Sequence, residues 1–332
     1  MLDESGLGVS VIMPILNEER HLKESVDAIL AQEYAGPIEV ILALGPSHDR
    51  TDEVAAALAA QDPRIVLVDN PSGRTPEGLN AAIAKSQYPV VARVDGHGIL
   101  SPGYLTTAVR TLAQQQAANV GGIMDAEGTS DFERAVACAM KSKIGVGGVK
   151  FKQGGAPGPA ETVYLGVFDR IWLDRVGGYD PRYIRAQDWE MNYRIRQADG
   201  LVWFTPDLKV TYRPRGSFRA LATQYKQYGT WRRVVAREHR GSINLRYLAP
   251  PTALVAIAGG TLGGLVWRPL WVIPLGYVGA VGVGGLAISR GQAPKVRALL
   301  PGVLATMHLS WGWGFLTSRV RLPETTQGTS SN

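Results

Sequence analysis

The first apolar runs are short and nearly continuous, as strands covered on both faces should be: Val9–Ile15 and Ile38–Leu44. Between them Leu22, Val26, Ile29 and Leu30 recur at helical spacing, with Asn17 as the expected N-cap and Glu18 and Glu19 suited to the first turn. The alternation continues with a strand over 64–69, a helix over 77–86, a strand over 90–95 and a helix over 104–116. That order predicts an α/β fold on a mostly parallel sheet, with ligands at the carboxyl ends of the strands. Residues 145–158, GVGGVKFKQGGAPG, have no usable period and read as a mobile loop. A strand over 162–168, a GGYD turn at 177–180, a helix over 188–197 and a long helix over 217–239 follow.

Beyond residue 246 the pattern changes. In the 43 residues from Tyr247 to Ser289 the only formal charge is Arg268, and residues 298–318 carry none with His308 neutral. Residues 248–267 and 270–289 are each 20 long, about the length that crosses a bilayer. GGTLGG at 259–264 holds two overlapping GxxxG spacings that permit close helix packing. A third apolar segment, 298–318, is interrupted by Pro301, His308 and Ser310, and is expected to span or to lie in the interface. The expected division is a catalytic domain over 1–212, a basic juxtamembrane helix over 213–246, two or three transmembrane helices over 247–318 and a flexible tail over 319–332.

Composition sharpens this picture. A mean hydropathy of −0.03 conceals the segregation. The net charge of +6 belongs to the second half, since residues 213–246 alone carry nine Lys/Arg against Glu238. Beside apolar runs, such a stretch points to an anionic membrane surface before nucleic acid, and no nucleic-acid partner is expected. It also orients the chain, with the first 212 residues on the cytoplasmic side by the positive-inside rule. The acidic start, MLDESGLGVS, is not expected to act as a secretory signal. One cysteine, Cys138, excludes an internal disulfide framework, and five scattered His make a zinc hydrolase improbable.

Four segments could carry chemistry. Pro14, Asn17 and Glu18 end the first strand at the sheet's carboxyl edge. RVDGHG places Asp95 and His97 on one short loop, a pair able to hold a divalent cation with positions left for phosphates, although a turn-stabilising Asp explains the same residues. In RAQDWEMNYRIR, Asp188 reads either as an N-cap or as a base aimed at an acceptor hydroxyl. QYKQYGTWRR alternates aromatic and cationic residues, which suits a helix lying against headgroups or one whose Gln and Arg close over a diphosphate.

In their order and spacing these segments resemble the inverting glycosyltransferases of family 2, which have the GT-A fold, and in particular the membrane-attached branch that builds bacterial exopolysaccharides such as succinoglycan. The resemblance runs from about Val9 to Arg233. It implies a Rossmann-like catalytic domain followed by transmembrane helices, and Mg²⁺ or Mn²⁺ bound by Asp95 and His97, with His97 in place of the family's second Asp. It implies Asp188 as general base, with Gln187 replacing the usual Glu. Donor contacts are expected from Pro14, Asn17, Glu18, Ser47, Asp49, Arg74, Asp95, Gln224 and Arg232. The expected partners are a nucleotide-sugar, a UDP-sugar first, and a lipid-linked sugar or polyprenyl phosphate. Three departures stand out. Leu44-Gly45-Pro46-Ser47 replaces the usual Asp-Asp-Gly-Ser, which leaves the nucleotide base open. Tyr212 stands where relatives place a metal-binding His, and Gly229-Thr230 interrupts the Gln-x-x-Arg-Trp region. A sugar nucleotidyltransferase and a catalytically silent export adaptor remain as alternatives.

Overall fold

The computed structural model describes residues 6–323, so the last nine residues of the expected tail and the first five of the chain lie outside it. Nine strands form one mixed sheet: β1 (Val9–Ile15), β2 (Ile38–Leu44), β3 (Ile65–Asp69), β4 (Val90–Arg93), β5 (Ile99–Leu100), β6 (Asn119–Ala126), β7 (Gly158–Pro159), β8 (Tyr164–Asp169) and β9 (Val202–Tyr212). The order is β3-β2-β1-β4-β8-β6-β9-β5, with β7 on β9. β1 to β4 are parallel to one another, as the alternating pattern predicts. Beyond β4 the sheet departs from the all-parallel half. β8 runs antiparallel to both β4 and β6, and only the β6–β9 pair is parallel there.

The helices α1 (Leu22–Leu30), α2 (Thr51–Gln61), α3 (Thr75–Lys85) and α4 (Tyr104–Gln115) cover the two faces of the parallel half. One face packs Val9, Val11 and Met13 on Leu22, Val26 and Leu105, and the other packs Ile12 and Ile41 on Leu79 and Ala82. Helix α2 is rich in alanine and has little apolar periodicity, and the sequence pattern passed over it as it did over strands β6 and β9. The Gly-rich segment is not a featureless loop. It contains two single turns, α6 (Lys143–Val146) and α7 (Lys150–Gln153), after α5 (Asp131–Met140).

The C-terminal half adds α8 (Arg170–Val176), α9 (Gln187–Gln197), α10 (Phe218–Glu238), α11 (Leu245–Gly264), α12 (Val272–Ile288) and α13 (Pro294–Thr317). Helices α11 and α12 form a hairpin closed by a 3-10 turn (Arg268–Trp271). The GxxxG spacing serves that hairpin: a Cβ on Gly260 would lie 2.9 Å from Ile273 Cβ, and one on Gly264 would lie 2.7 Å from the Trp271 ring. Val255, Leu262, Leu265, Val266, Val272 and Leu275 are exposed on it. Among the described residues one helical stretch, Arg268–Ile288, is long and apolar enough to cross a membrane.

Helix α13 contains the expected third apolar segment and packs on protein along much of its length. Its apolar side is buried against the catalytic unit, where Val296, Leu300, Val303 and Met307 meet Met124, Val136, Leu221 and Tyr225. Its C-terminal half lies backbone to backbone on α10. A Cβ on Gly229 would stand 2.0 Å from the Trp311 carbonyl oxygen, and one on Gly314 would stand 2.0 Å from that of Lys226. Thr230 Oγ1 donates to Gly314 O at 3.3 Å, Arg233 to Phe315 O at 3.1 Å and Arg237 to Ser318 O at 3.0 Å. The same contact explains Gly229, the residue that interrupts the Gln-x-x-Arg-Trp region.

Gly229→Ala should therefore destabilise the protein by about 1–3 kcal/mol through overpacking, measured by thermal unfolding in detergent. Gly259→Ala, where a Cβ would meet nothing within 4 Å, serves as the control. Equal stability of the two variants would contradict the close α10–α13 packing.

Candidate active site

The carboxyl ends of the parallel strands bring three loops together. Asn17 takes a left-handed φ of 56°, a conformation that Asn tolerates better than most side chains. It is not the N-cap of α1, a position held by His21 without a side-chain cap. Its Oδ1 accepts from the His48 N–H at 2.8 Å, and its own N–H donates to Ser47 Oγ at 3.1 Å. The Glu18 N–H donates to Thr51 Oγ1 at 2.7 Å and the Glu19 N–H to Asp49 at 3.3 Å. Asp49 in turn accepts from the Thr51 hydroxyl at 2.5 Å, a bond that holds its pKa below the ordinary value. These bonds stitch the β1–α1 and β2–α2 loops into one wall. Arg74 stands at the N-cap of α3 beside that wall, paired with Glu77. Pro14 falls beyond the last β1–β4 pair, Ile12 with Arg93.

The centre of the site is Arg93, a side chain only 3% exposed at the end of β4. Its guanidinium donates to Asp95 Oδ1 at 2.9 Å and to Asp188 Oδ1. Asp188 lies in the first turn of α9, so the N-cap reading fails: that position is Ala186, with φ 62°. The two carboxylates come from positions 93 residues apart in sequence and share one buried cation. Their environments push them in opposite directions. Burial raises the pKa of Asp188 to about 6, with Arg93 opposing and Asp95 adding to the rise. For Asp95 burial is outweighed by Arg93 and His97, and its pKa falls below the ordinary value.

Next to this pair, His97 Nδ1 lies 2.7 Å from Glu18 Oε1, and that bond raises the imidazole pKa against the effect of burial. With Nδ1 committed to a carboxylate, Nε2 is the nitrogen left for a ligand. Among the described residues no group of three or more His, Cys, Asp or Glu could hold a metal ion by itself. A sparse set of this kind suits a cation whose other positions go to substrate phosphates. Tyr212 ends β9, opposite the His97 loop by the β5–β9 register, and its hydroxyl accepts from Gln224 at 2.7 Å.

The structure thus gathers Asn17, Glu18, Ser47, Asp49, Asp95, His97 and Asp188 at one edge, with Gln224 reaching it through Tyr212. Arg232 makes no contact with these residues among the bonds described and packs instead on Trp189, the neighbour of Asp188. Its guanidinium is sandwiched 4.0 Å from the Trp189 ring centroid and 3.9 Å from that of Tyr247, and it donates to the Ser242 carbonyl. Arg93 was missed by sequence reasoning, as were Arg185 and Arg215, whose charges reach Asp95 and His97 respectively. The signal for Arg93 was available: a lone cation inside the apolar run VVARVD must find a buried partner.

Removing one member of a buried ion pair leaves an uncompensated charge. Arg93→Met should cost about 3–5 kcal/mol at pH 7. The depressed pKa of Asp95 fixes the sign of the pH effect. Its pairing contributes fully above the ordinary carboxylate range and is lost only as the pH falls below it, so the cost of Arg93→Met should be smaller at about pH 3 than at pH 7. Denaturant unfolding in detergent at the two pH values measures this, and a cost independent of pH would contradict it.

Comparison with known proteins agrees with this geometry. Residues 10–157 match the model of the glycosyl transferase family 2. The chain is 32% identical to the succinoglycan biosynthesis protein ExoA of Rhizobium meliloti strain 1021 over 92% of its own length and 93% of that protein's. It is 20% identical, over 94% of its length and 97% of the relative's, to a dolichyl N-acetyl-alpha-D-glucosaminyl phosphate 3-beta-D-2,3-diacetamido-2,3-dideoxy-beta-D-glucuronosyltransferase of Methanococcus voltae. Among solved structures, the mannosyltransferase PcManGT of Pyrobaculum calidifontis, in complex with GDP-Man and Mn²⁺, superposes with a TM-score of 0.60 at 20% identity, covering 93% of this chain and 88% of that one. S. aureus TarS 1-349 does so at 0.53 and 15% identity, covering 93% and 90%. The sheet is that of a GT-A glycosyltransferase, and the chain belongs to glycosyltransferase family 2.

Proposed function

We propose that the protein is an inverting, metal-assisted glycosyltransferase that moves a sugar from a nucleotide-sugar to a lipid-linked acceptor at a membrane face, in the assembly of an extracellular polysaccharide. The observation that carries this reading is the Arg93 bridge, which sets a base candidate with a raised pKa beside the carboxylate that faces the donor. Relatives support the substrates. The R. meliloti protein is named for succinoglycan biosynthesis, and the M. voltae enzyme's name describes an acceptor sugar on dolichyl phosphate. The PcManGT structure holds GDP-Man with Mn²⁺. A UDP-sugar is the donor we favour.

Asp95 and His97 Nε2 would hold Mg²⁺ or Mn²⁺, which when bound neutralises charge on the leaving diphosphate. The Asn17–Ser47–Asp49 wall and Arg74 line the nucleotide side. Arg93 occupies Asp188 Oδ1 and leaves the other oxygen for the acceptor hydroxyl, in a side chain that is 28% exposed. In a single displacement the acceptor oxygen bonds to the anomeric carbon as the sugar–phosphate bond breaks. The proton passes to Asp188 and the electron pair leaves with the diphosphate.

The anchor in this reading is the α11–α12 hairpin. It follows the basic α10 directly, and its exposed apolar surface suits lipid better than water. The catalytic unit then comprises residues 1–212, the basic helix of 213–246 and the docked α13, rather than ending at 212.

Asp188→Asn should lower kcat by about 10²–10⁴ while donor affinity stays within a few-fold. In the wild type, kcat/KM should fall as the pH drops through about 6, because the base is then protonated. Retained turnover in the Asn variant would remove Asp188 from the base role. Asp95→Ala should abolish the Mn²⁺-dependent part of nucleotide-sugar binding in calorimetry, and an unchanged metal dependence would overturn the metal assignment. A reporter fused after Asn332 should be active on the same side of the membrane as the catalytic unit. Activity only on the opposite side would mean that α13 crosses after all.

A further inference from the structure

Lys152 carries a charge that the site described above does not use. It lies on α7, the single turn within the Gly-rich segment, between two pairs of glycines. Gly147 and Gly148 precede it with φ of 68° and 82°, and Gly154 and Gly155 follow it with φ of 82° and 135°. Other residues would be strained at all four positions, so the sequence defines both ends of the turn. Its ammonium is surrounded by rings: Nζ is 5.5 Å from the Tyr228 centroid, 5.8 Å from that of Tyr225 and 6.0 Å from that of Phe151. Aromatic faces attract a cation but do not neutralise it. Burial is the only influence on the amine, and it lowers the pKa to about 8. At neutral pH the group is therefore a largely protonated ammonium with no carboxylate partner among the described residues.

The cage adjoins the catalytic edge. Tyr228 lies close enough to Arg215, Arg185 and Asp95 for their charges to act on its hydroxyl. Phe151 stacks on Tyr164 with centroids 6.4 Å apart, and Tyr164 in turn feels the charges of Asp95 and Arg93. Tyr164 and Tyr228 thus link the Lys152 cage to the Asp95 end of the catalytic edge.

We infer that Lys152 is a phosphate-binding residue, its ammonium held by Phe151, Tyr225 and Tyr228 on a glycine-bounded turn so that it pairs with a substrate phosphate in the catalytic cleft. An ammonium is a compact charge suited to phosphate oxygens. That phosphate could come from the donor diphosphate or from a lipid-linked acceptor, and the inference rests on the nucleotide-sugar reading of the site.

The test uses the full chain in detergent without divalent metal, with UDP, GDP and inorganic pyrophosphate as calorimetric probes and a polyprenyl phosphate in mixed micelles as a fourth. Wild-type binding of UDP or GDP tests the nucleotide-sugar reading by itself. Lys152→Gln should weaken one phosphate probe by about tenfold or more, and Lys152→Arg should recover part of that loss. Loss for the nucleotides and pyrophosphate assigns the donor diphosphate, and loss for the polyprenyl phosphate alone assigns the acceptor. The Gln variant should unfold at or above the wild-type temperature, since it removes a partly buried ammonium that no described carboxylate pairs. This separates ligand binding from a merely structural cage. Unchanged affinity for all four probes in a folded Gln variant would overturn the inference, whether or not the wild type binds UDP or GDP.

Discussion

A single buried guanidinium organises the catalytic edge. Arg93 stands at the end of the central strand β4, almost without solvent, and its two acidic partners arrive from opposite directions. Asp95 comes from the loop that follows β4, and Asp188 from the start of α9. Without the cation between them, two carboxylates buried this closely could not both stay ionised. With it, they take unequal characters, one held charged and the other raised towards neutral pH. A pair of groups pushed apart in this way is how one site can treat a leaving group and an incoming hydroxyl differently. The pair adds little net stability, because desolvation of the ions opposes their attraction. Its value lies in fixing where the two carboxylates stand.

The second constraint is the contact between α10 and α13. Gly229 and Gly314 let the two backbones touch, and arginines of α10 donate to the carbonyls at the end of α13. The catalytic unit is thereby closed on its C-terminal side by a helix that follows the exposed hairpin. The basic helix, the hairpin and the returning helix form one connected support next to the cleft.

Much of this was legible from apolar patterning. β1 and β2 were predicted to the residue, because strands buried on both faces read as near-continuous apolar runs. Asp95, His97 and Asp188 were legible as polar positions at strand or helix ends, and the structure brings Asp95 and Asp188 onto one arginine. The antiparallel β8 was not, because strand direction is set by tertiary connections that leave no periodic trace. Residues 298–318 read as a membrane segment because burial in protein and burial in lipid select the same side chains. The packing of α10 on α13, where Gly229 meets Trp311 and Gly314 meets Lys226, joins positions 82 and 88 residues apart and leaves no trace in the linear pattern. Arg93 was hidden for the opposite reason: a single charge in an apolar strand carries its meaning in partners that the linear pattern does not join.

The central claim is that Asp188 and the donor-facing Asp95 act on one anomeric carbon in a single displacement. The most direct measurement is the anomeric configuration of the first-formed product by NMR, taken with an α-linked nucleotide-sugar before any equilibration. The account predicts a β-linked product. An α-linked product would contradict it, because retention requires a second step that a lone base beside one bridging arginine does not provide.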